Sequence, residues 1–362
     1  MKVAMNTKAK DKNPVLSYME EMEHEQVVFC QDKETGLKAI IAVHNTNLGP
    51  ALGGTRMWAY NNEEEAINDV LRLSRGMSYK AAISGLELGG GKAVIIGDAK
   101  TLKTDALMQK FGAFVDRLGG SYITAEDVGM NTHDMEMVHV NTKHVTGLPQ
   151  EMGGSGDPSP VTAYGVYMGM KASAKYKWGS DDLKGKKVAV QGIGHVGENL
   201  VRFLTEEGAD VYINDIFMDR LLEVSKLYGA TIVEGDAIYD IDMDIYAPCA
   251  LGATVNDDTL SRLKCEIIAG AANNQLADEE IHGNRVKDMG IVYAPDFLIN
   301  AGGLINVFSE IKKMSSEEVM AKTKEIYNTT LDILSRAETE GVSTHEAAKR
   351  IAEERIQNGY KN

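Results

Sequence analysis

Hydrophobic and polar positions follow strand-like and helix-like periods that alternate along the chain. Residues 26–30 and 37–43 are β-rich runs on either side of a turn-forming segment, which predicts a hairpin. Asn62 is placed to cap a helix whose first turn is acidic and whose apolar spacing runs to Arg75. Further elements are predicted as a strand at 93–96, a helix at 104–118 and a strand at 121–124. The first half of the chain therefore has the pattern of an α/β segment.

A loop rich in Gly, Ser and Pro at residues 153–160 interrupts this pattern, and such shifts often mark domain boundaries. After the loop the chain becomes a regular series of βα units. Strands are predicted at 187–191, 210–214, 230–233, 245–247, 267–269 and 291–294, and helices at 196–207 and from Met218 onward. The alternation predicts a parallel, doubly wound sheet of Rossmann type, so the fold class is α/β with two domains. The tail is predicted to be helical, with helix starts at Ser315 and Ser343.

Composition narrows the class of protein mainly by exclusion. The 362 residues are 43% hydrophobic and 25% charged, as in ordinary globular proteins, and 53 acidic against 38 basic residues give a net charge of −15. We therefore expect neither a nucleic-acid nor a membrane partner. The three cysteines are too few and too widely spaced for a disulfide framework or a zinc ribbon, so no metal is expected. Residues 1–14 are polar and lack an apolar targeting core, so we expect a cytoplasmic protein.

A dinucleotide-binding fingerprint begins the second half. Gly192, Gly194 and Gly197 form a G-x-G-x-x-G run that directly follows an apolar strand and opens a helix. Asp215 stands 18 residues beyond Gly197 at the end of the next strand, where an acid can accept hydrogen bonds from an adenosine ribose. Strand, glycines, helix and acid together predict an NAD site, whereas His195 within the run is expected to have no catalytic role.

Two lysines and an aspartate are the candidate catalytic groups of the first half. Lys80 and Lys92 are twelve residues apart, and Lys92 follows three successive glycines that let a substrate approach the backbone. Asp127 follows the predicted strand at 121–124, at the end of the strand where α/β sheets commonly bind ligands. The alternative is that these are three solvated charges, which is what most Lys and Asp residues are.

Five runs of residues resemble the signatures of the Glu/Leu/Phe/Val amino-acid dehydrogenase family. They are residues 48–56 (LGPALGGTR), 89–92 (GGGK), 124–127 (TAED), 156–162 (GDPSPVT) and 300–306 (NAGGLIN). The resemblance extends from about residue 20 to about residue 356, in order and with the spacing of the family. The nearest branch is the one that acts on leucine.

The resemblance implies a role for individual residues. Lys80 matches the lysine that holds the substrate α-carboxylate, Lys92 the catalytic lysine and Asp127 the acid that shuttles protons. The carbonyl group of Gly53 is implied to orient the substrate amino group. The remaining positions are implied to bind cofactor (Thr162 and Asn274) and to line the pocket for the substrate side chain (Leu52, Met77, Ala125, Leu304 and Val307).

The resemblance also implies how the domains are used. Residues 1–147 would bind substrate and provide the oligomer contacts, rejoined by residues 340–362, while residues 148–339 would form the NAD-binding domain. The implied assembly is a homo-oligomer, for which an octamer is one candidate.

The expected reaction is the NAD-dependent, reversible oxidative deamination of branched-chain L-amino acids, with leucine favoured over valine and isoleucine. Glutamate-specific members carry a lysine at the position of Leu52 and a serine at that of Val307, so the apolar residues found here exclude a second carboxylate. Ala125 is similar to the branched-chain enzymes. Leu304 replaces an expected valine and is similar to members that accept aromatic substrates, so a phenylalanine or tryptophan dehydrogenase is the alternative.

Two other classes of protein share part of this pattern. A 2-hydroxy-acid dehydrogenase would also have the Rossmann half, but it uses a histidine base and an arginine for the substrate, which residues 89–127 do not offer. A catalytically silent NAD-responsive protein would keep the glycines and lose the lysines. The presence of both lysines and Asp127 argues against each of them.

Overall fold

The computed structural model describes residues 15–359, so the prediction made for residues 1–14 lies outside the described residues. Two sheets account for the eleven strands within this range. The strands are β1 (Gln26–Gln31), β2 (Lys38–Asn45), β3 (Ala51–Trp58), β4 (Gly89–Ile96), β5 (Tyr122–Glu126), β6 (Lys187–Gln191), β7 (Asp210–Asn214), β8 (Thr231–Ile232), β9 (Ile245–Pro248), β10 (Ile267–Ile268) and β11 (Val292–Tyr293).

Helices connect and cover these strands. They are α1 (Val15–Met22), α2 (Glu63–Ile83), α3 (Asp105–Asp116), α4 (Thr132–His139), α5 (Ser159–Trp178), α6 (His195–Glu207), α7 (Met218–Tyr228), α8 (Asp257–Arg262), α9 (Glu279–Asp288), α10 (Asp296–Ile299), α11 (Gly302–Lys312), α12 (Ser316–Lys324), α13 (Ile326–Glu340) and α14 (Thr344–Asn358). No helix in the described range is long and apolar enough to cross a membrane.

The described residues form two compact units, the first made of residues 15–78 and 87–146 and the second of residues 79–86 and 147–359. The division at 146/147 lies one residue from the boundary expected from the sequence. The terminal helix α14, however, belongs to the second unit and not to the first. It packs on α13 and α9, and Arg355 donates to the carbonyl groups of Ala82 and Leu86, which are themselves in the second unit.

The first unit is built on a five-stranded mixed sheet with the order β1-β2-β4-β3-β5. β1 pairs antiparallel with β2, and β2 with β4, whereas β3 runs parallel to both β4 and β5. α2 covers one face of the sheet, where Val70 and Leu71 pack with Ile40 and Val94 in a buried cluster. The carboxyl ends of the three parallel strands therefore meet at one edge of this sheet.

The central strand β3 was not predicted from the sequence. Pro50 directly precedes the strand and the pair Gly53-Gly54 interrupts its apolar run, and glycine in a strand interior ordinarily weakens the strand. The structure explains the glycine, because a Cβ atom at Gly53 would lie 1.6 Å from the carbonyl oxygen of Gly91 on β4. Close approach of two backbones, and not flexibility, is the reason for glycine here.

The second unit contains a six-stranded, fully parallel sheet with the order β11-β10-β9-β6-β7-β8. The order reverses on either side of β6, which is the arrangement of a doubly wound fold, and the predicted fold class is confirmed. Ala189, Tyr246 and Ile268 from three adjacent strands contribute to one buried cluster on this sheet. The loop after β6 and the residue after β7 consequently lie side by side at the carboxyl edge.

Candidate active site

Lys92 lies on β4 and is only 6% exposed. Its Nζ atom donates a hydrogen bond to Oδ2 of Asp127. Burial disfavours the charged ammonium more strongly than the carboxylate favours it, so the pKa of Lys92 lies below its ordinary value of 10.5. The strand thus holds a buried amine that is easier to deprotonate than a lysine in water.

Asp127 follows β5 directly, at the carboxyl end of that strand. Its Oδ1 atom accepts the backbone N–H of Val128 at 2.7 Å, and Nε of Arg56 lies 3.4 Å from its Oδ2 atom. Burial acts to raise the pKa of Asp127, but Lys92, Arg56 and the Val128 N–H outweigh it and hold that pKa below its ordinary value. Asp127 is therefore an ionised acceptor with Lys92 as its donor.

The carbonyl oxygen of Gly53 faces a buried hydroxyl group. Tyr122 is fully buried on β5, and its hydroxyl group donates to that oxygen at 2.7 Å. The hydrogen bond from Tyr122 keeps the Gly53 peptide in a fixed orientation.

The residues predicted to line a side-chain pocket fall in both units. Leu52 on β3 is 2% exposed and Ala125 on β5 is 9% exposed, while Met77 on α2 is half-buried. In the second unit, α11 carries Leu304, which is 6% exposed, and Val307, which is half-buried. All five are apolar and none is fully exposed.

Lys80 lies near the end of α2, in the part of that helix that belongs to the second unit. Its Nζ atom donates to Oδ1 of Asn300 at 2.7 Å. Asn300 in turn donates from Nδ2 to the carbonyl oxygen of Ala271 at 3.0 Å and to Oδ1 of Asn273 at 2.8 Å. Asn300 therefore fixes Lys80 next to the loop that carries Asn274.

Asn274 and Thr162 are the other two residues expected to bind cofactor. Asn274 is exposed and has a positive φ of 52°, a conformation that asparagine tolerates better than most residues. Thr162 lies in the first turn of α5, where its hydroxyl group donates to the carbonyl oxygen of Pro158 at 2.9 Å. A Cβ atom at Gly303 would lie 3.2 Å from this hydroxyl group, so α11 begins against the start of α5.

The glycine run after β6 leaves a space of the kind a pyrophosphate needs. A Cβ atom at Gly197 would lie 2.0 Å from the carbonyl oxygen of Gly192, so Gly197 is required for helix α6 to pack on the strand. A Cβ atom at Gly194 would meet no atom within 4 Å. No side chain caps α6 at Gly194, so the N–H groups at the start of the helix remain available to an anion. The loop fits a dinucleotide.

Asp215 follows β7 and is tied to the same loop. Its Oδ2 atom accepts the N–H of Ile193 at 2.8 Å and its Oδ1 atom accepts that of Phe217 at 3.1 Å. The neighbouring Arg220 pairs with Glu198 and, at 2.7 Å, with Glu223. Arg220 on α7, five residues after Asp215, is thus paired with two carboxylates.

The structure brings the predicted residues together as three groups: Lys92 with Asp127, Lys80 with the Asn273–Asn274 loop, and Asp215 with the glycine run. No cluster of three or more His, Cys, Asp or Glu residues that could bind a metal ion occurs among residues 15–359. The roles assigned to the individual residues stay predictions.

Two polar residues at the site were quoted in the sequence motifs without a role. Arg56 ends the LGPALGGTR run and lies beside Asp127, and Asn300 begins the NAGGLIN run and holds Lys80. Their position in the motifs was the available signal. Arg56 and Asp127 are 71 positions apart and Lys80 and Asn300 are 220 apart, so these partners cannot be read from motif spacing and had to come from the fold.

Comparisons with known proteins agree with this arrangement. The model of the "Glu/Leu/Phe/Val dehydrogenase, dimerisation domain" matches residues 24–144, and that of "Glutamate/Leucine/Phenylalanine/Valine dehydrogenase" matches residues 153–216 and 217–362. Leucine dehydrogenase from Bacillus subtilis is 54% identical, covering 95% of this chain and 94% of that protein. Leucine dehydrogenase from Thermoactinomyces intermedius is 53% identical, covering 95% and 93%. The crystal structure of L-tryptophan dehydrogenase from Nostoc punctiforme superposes with a TM-score of 0.86 at 46% identity, covering 95% of this chain and 99% of that one.

Proposed function

This chain belongs to the Glu/Leu/Phe/Val dehydrogenase family and is an amino-acid dehydrogenase, and we propose that it catalyses the reversible oxidative deamination of L-leucine with NAD. Valine and isoleucine are the secondary substrates. The reaction converts the amino acid, water and NAD⁺ into the 2-oxo acid, ammonium, NADH and a proton. The observation that carries the proposal is the buried Lys92–Asp127 pair on the carboxyl edge of the first sheet.

Lys92 and Asp127 supply the proton transfers. Lysine in water is a poor base near neutral pH, but burial lowers the pKa of Lys92, so its Nζ atom can take a proton from the water that attacks the substrate imine. Asp127 stays ionised and can pass a proton from Nζ to the departing amine. The result is hydrolysis of the imine and release of ammonia.

Lys80 and Gly53 hold the substrate in this proposal. The Lys80 ammonium pairs with the α-carboxylate, for which its contact with Asn300 fixes the direction of the side chain. The Gly53 carbonyl oxygen, whose peptide is held by Tyr122, is the acceptor proposed for the substrate amino group. These two contacts orient Cα, from which the nicotinamide ring accepts a hydride when the cofactor is bound.

The family comprises NAD(P)-dependent dehydrogenases, and two features of this chain favour NAD over NADP. The Asp215 carboxylate would accept the ribose hydroxyl groups and repel a 2′-phosphate. Arg220, which could otherwise pair with that phosphate, is engaged by Glu198 and Glu223. Fluorescence titration should therefore give a lower Kd for NADH than for NADPH, and tighter binding of NADPH would contradict the role of Asp215.

The residues proposed to line the side-chain pocket favour an aliphatic substrate. Burying the second carboxylate of glutamate beside Leu52 and Val307 would leave an unpaired charge, at a cost of several kcal/mol. A leucine side chain would instead gain about 25 cal/mol per Å² of apolar surface that it buries. Glutamate should be a poor substrate. The same-family relatives that act on leucine are also more similar to this chain than the tryptophan enzyme of known structure.

The decisive experiment measures NADH formation with each apolar and acidic L-amino acid at alkaline pH, and ammonia release in parallel. We expect the highest kcat/KM for leucine, lower values for valine and isoleucine, and no measurable turnover of glutamate. One methylene group changes selectivity by only about 1–3 kcal/mol, so some overlap among apolar substrates is expected. A higher kcat/KM for phenylalanine or tryptophan would replace leucine as the substrate, while no turnover of any amino acid would contradict the proposed activity.

The proposal includes assembly of the chain with copies of itself through the first unit. β1 is the edge strand of its sheet, and Phe29 on this strand is 59% exposed. An edge strand offers unpaired N–H and C=O groups to a neighbouring chain. Closed homo-oligomers are also the commonest assembly of soluble enzymes.

A further inference from the structure

A chain of ionic contacts continues outward from Asp127 within the first unit. The Oδ2 atom of Asp127 that accepts from Lys92 also lies 3.4 Å from Nε of Arg56. Nη1 of Arg56 donates to Oδ2 of Asp69 at 2.9 Å, and the hydroxyl group of Tyr60 donates to the same oxygen at 2.7 Å. One oxygen of the proton-transfer pair is therefore placed between two cations.

The contact of Arg56 with Asp127 differs in kind from its contact with Asp69. Nε of Arg56 is buried and has no hydrogen-bond partner, so its interaction with Asp127 is an ion pair, not a hydrogen bond. The opposite end of the guanidinium group is fixed by a proper hydrogen bond to Asp69, whose side chain is 15% exposed. Asp69 thus holds the arginine, and the arginine presents its charge to Asp127.

An arginine suits this position because its guanidinium group cannot lose its proton in a protein. Its positive charge opposes protonation of both members of the pair, since it lowers the pKa of Asp127 and that of Lys92. The ionisable groups that face Arg56 come from four elements. They are Lys92 on β4, Asp127 after β5, Asp69 on α2 and Tyr60 after β3, with Arg72 on α2 bonded to the far oxygen of Asp69 at 3.2 Å.

We propose that Arg56, anchored by Asp69, is a positioning residue that fixes Asp127 and favours loss of a proton from Lys92. Arg56 need not touch the substrate, because it acts through the carboxylate that it faces. The inference rests on the proposed roles of Lys92 and Asp127, and it does not depend on which amino acid is the substrate.

The test compares Arg56→Gln and Arg56→Lys with the wild-type enzyme over a range of pH. Arg56→Gln should lower kcat about tenfold, with KM for leucine changed less than about threefold. Because a positive charge beside Lys92 is lost, the rise of kcat with pH should move to higher pH by about one unit. Arg56→Lys keeps a positive charge and should restore the pH profile at least in part.

Arg117→Gln is the matched control. Arg117 is an exposed arginine of the same unit whose guanidinium group lies over the ring of Phe114, so its loss should leave kcat and the pH profile unchanged. Thermal unfolding of each variant distinguishes a structural effect from a catalytic one. If Arg56→Gln has the wild-type pH profile, or if Arg56→Lys shifts the profile as far as Arg56→Gln does, the positioning role is wrong.

The result is separable from failure of the proposed function. An inactive Lys92→Ala enzyme with a wild-type pH profile in Arg56→Gln would reject Arg56 alone. An active Lys92→Ala enzyme would reject the proposed proton-transfer pair, and the inference about Arg56 would fall with it. If another amino acid is the better substrate, the same pH profiles are measured with that amino acid.

Discussion

Burying a lysine costs free energy unless its charge is paired or its proton is lost. Lys92 has a carboxylate partner, and its environment also favours loss of the proton. Lys92 is 6% exposed. Its partner Asp127 favours the ammonium form, whereas burial and the nearby Arg56 favour the free amine. A residue that can lose its proton without losing its partner is suited to act as a base. The same burial would be a liability in a lysine with only a structural role.

Replacing Lys92 by alanine should abolish this function and spare the fold of the second unit. We expect kcat to fall by at least the ~10²-fold that is typical for loss of a general base. NADH binding should change little, because the glycine run and Asp215 belong to the other unit. Steady-state kinetics and NADH fluorescence measure the two effects.

The control for this prediction is Lys100→Ala, which removes an exposed lysine from the same unit. Its kcat should equal that of the wild-type enzyme. Turnover near the wild-type value in folded Lys92→Ala protein would mean that Lys92 is not the base.

Two buried histidines, His24 just before β1 and His44 on β2, contact serine residues of helix α2. Nε2 of His24 lies 2.8 Å from the hydroxyl group of Ser74, and Nδ1 of His44 lies 2.7 Å from that of Ser78. Burial lowers the pKa of His24 to about 4 and that of His44 to about 3. Below pH 6.5 the unfolded chain therefore binds protons that the folded chain does not. As the pH is lowered, the free energy of unfolding consequently decreases until the pH reaches these low pKa values.

Urea unfolding at several pH values between about 7 and 4 measures this loss, which should approach 1.4 kcal/mol per pH unit for each histidine. His44→Asn should reduce the slope by about half. His133→Asn, which changes a histidine with a largely exposed side chain, should leave the slope unchanged. Equal slopes in His44→Asn and the wild-type protein would show that His44 is not buried in its neutral form.

Single residues were predictable where a local motif defines them. Asp127, Asp215 and the glycine run could be named because each directly follows a strand or opens a helix, and Lys92 could be named because it follows three successive glycines. Arg56 could not be given a role, because its significance comes from Asp69 and Asp127, which reach it from a helix and from another strand. A partner contributed by a distant element leaves no mark in the spacing of the motif.

In the turn between β6 and α6, Gly194 and Gly197 are needed for two different reasons. Gly197→Ala would place a Cβ atom 2.0 Å from the Gly192 carbonyl oxygen, which forces the helix away from the strand. Gly194→Ala meets no atom within 4 Å, and the φ of −63° at Gly194 suits alanine. One substitution should therefore destabilise the element, and the other should only fill the space meant for the pyrophosphate.

We expect Gly194→Ala to keep the wild-type Tm and to weaken NADH binding about tenfold, a cost of ~1.4 kcal/mol. Gly197→Ala should lower the Tm, because the backbone of the turn must shift to admit the methyl group. Calorimetry and fluorescence titration measure the two quantities. Unchanged NADH binding in Gly194→Ala would argue against a pyrophosphate at this turn.

Elements with a regular period were predicted closely, and the others were missed for physical reasons. β6, β7 and the start of α7 agree with the predicted bounds to the residue, because each is a short apolar run between clear turns. α2 continues to Ile83 past Gly76, since buried positions at Ser74 and Ser78 keep the helical spacing. α5 was not predicted at all. Its buried residues, many of them small, lie on several faces of the helix, so the sequence has no amphipathic period.

For the molecule as a whole, the proposed catalytic and cofactor-binding residues belong to different compact units. Lys92, Asp127 and Gly53 are in the first unit, and the glycine run and Asp215 are in the second. Lys80 is on α2 in the first half of the chain, yet residues 79–86 belong to the second unit, where Lys80 also bonds to Asn300. A division based on position along the chain alone assigns Lys80 to the first half.

The last prediction concerns assembly. Among residues 15–359, β1 is an edge strand of its sheet and Phe29 on this strand is 59% exposed, so pairing with a second copy would satisfy backbone groups and bury an aromatic ring at once. A net charge of −15 per chain opposes this association, and salt screens that repulsion. Light scattering at physiological ionic strength should therefore show a homo-oligomer, and Phe29→Glu should shift it toward smaller species.

Leu227→Glu places the same charge at a leucine of α7 that is 61% exposed, in the second unit, and should leave the assembly intact. A wild-type particle with the mass of one chain would exclude self-assembly. If Leu227→Glu dissociated the oligomer and Phe29→Glu did not, the contact would have to lie on the second unit.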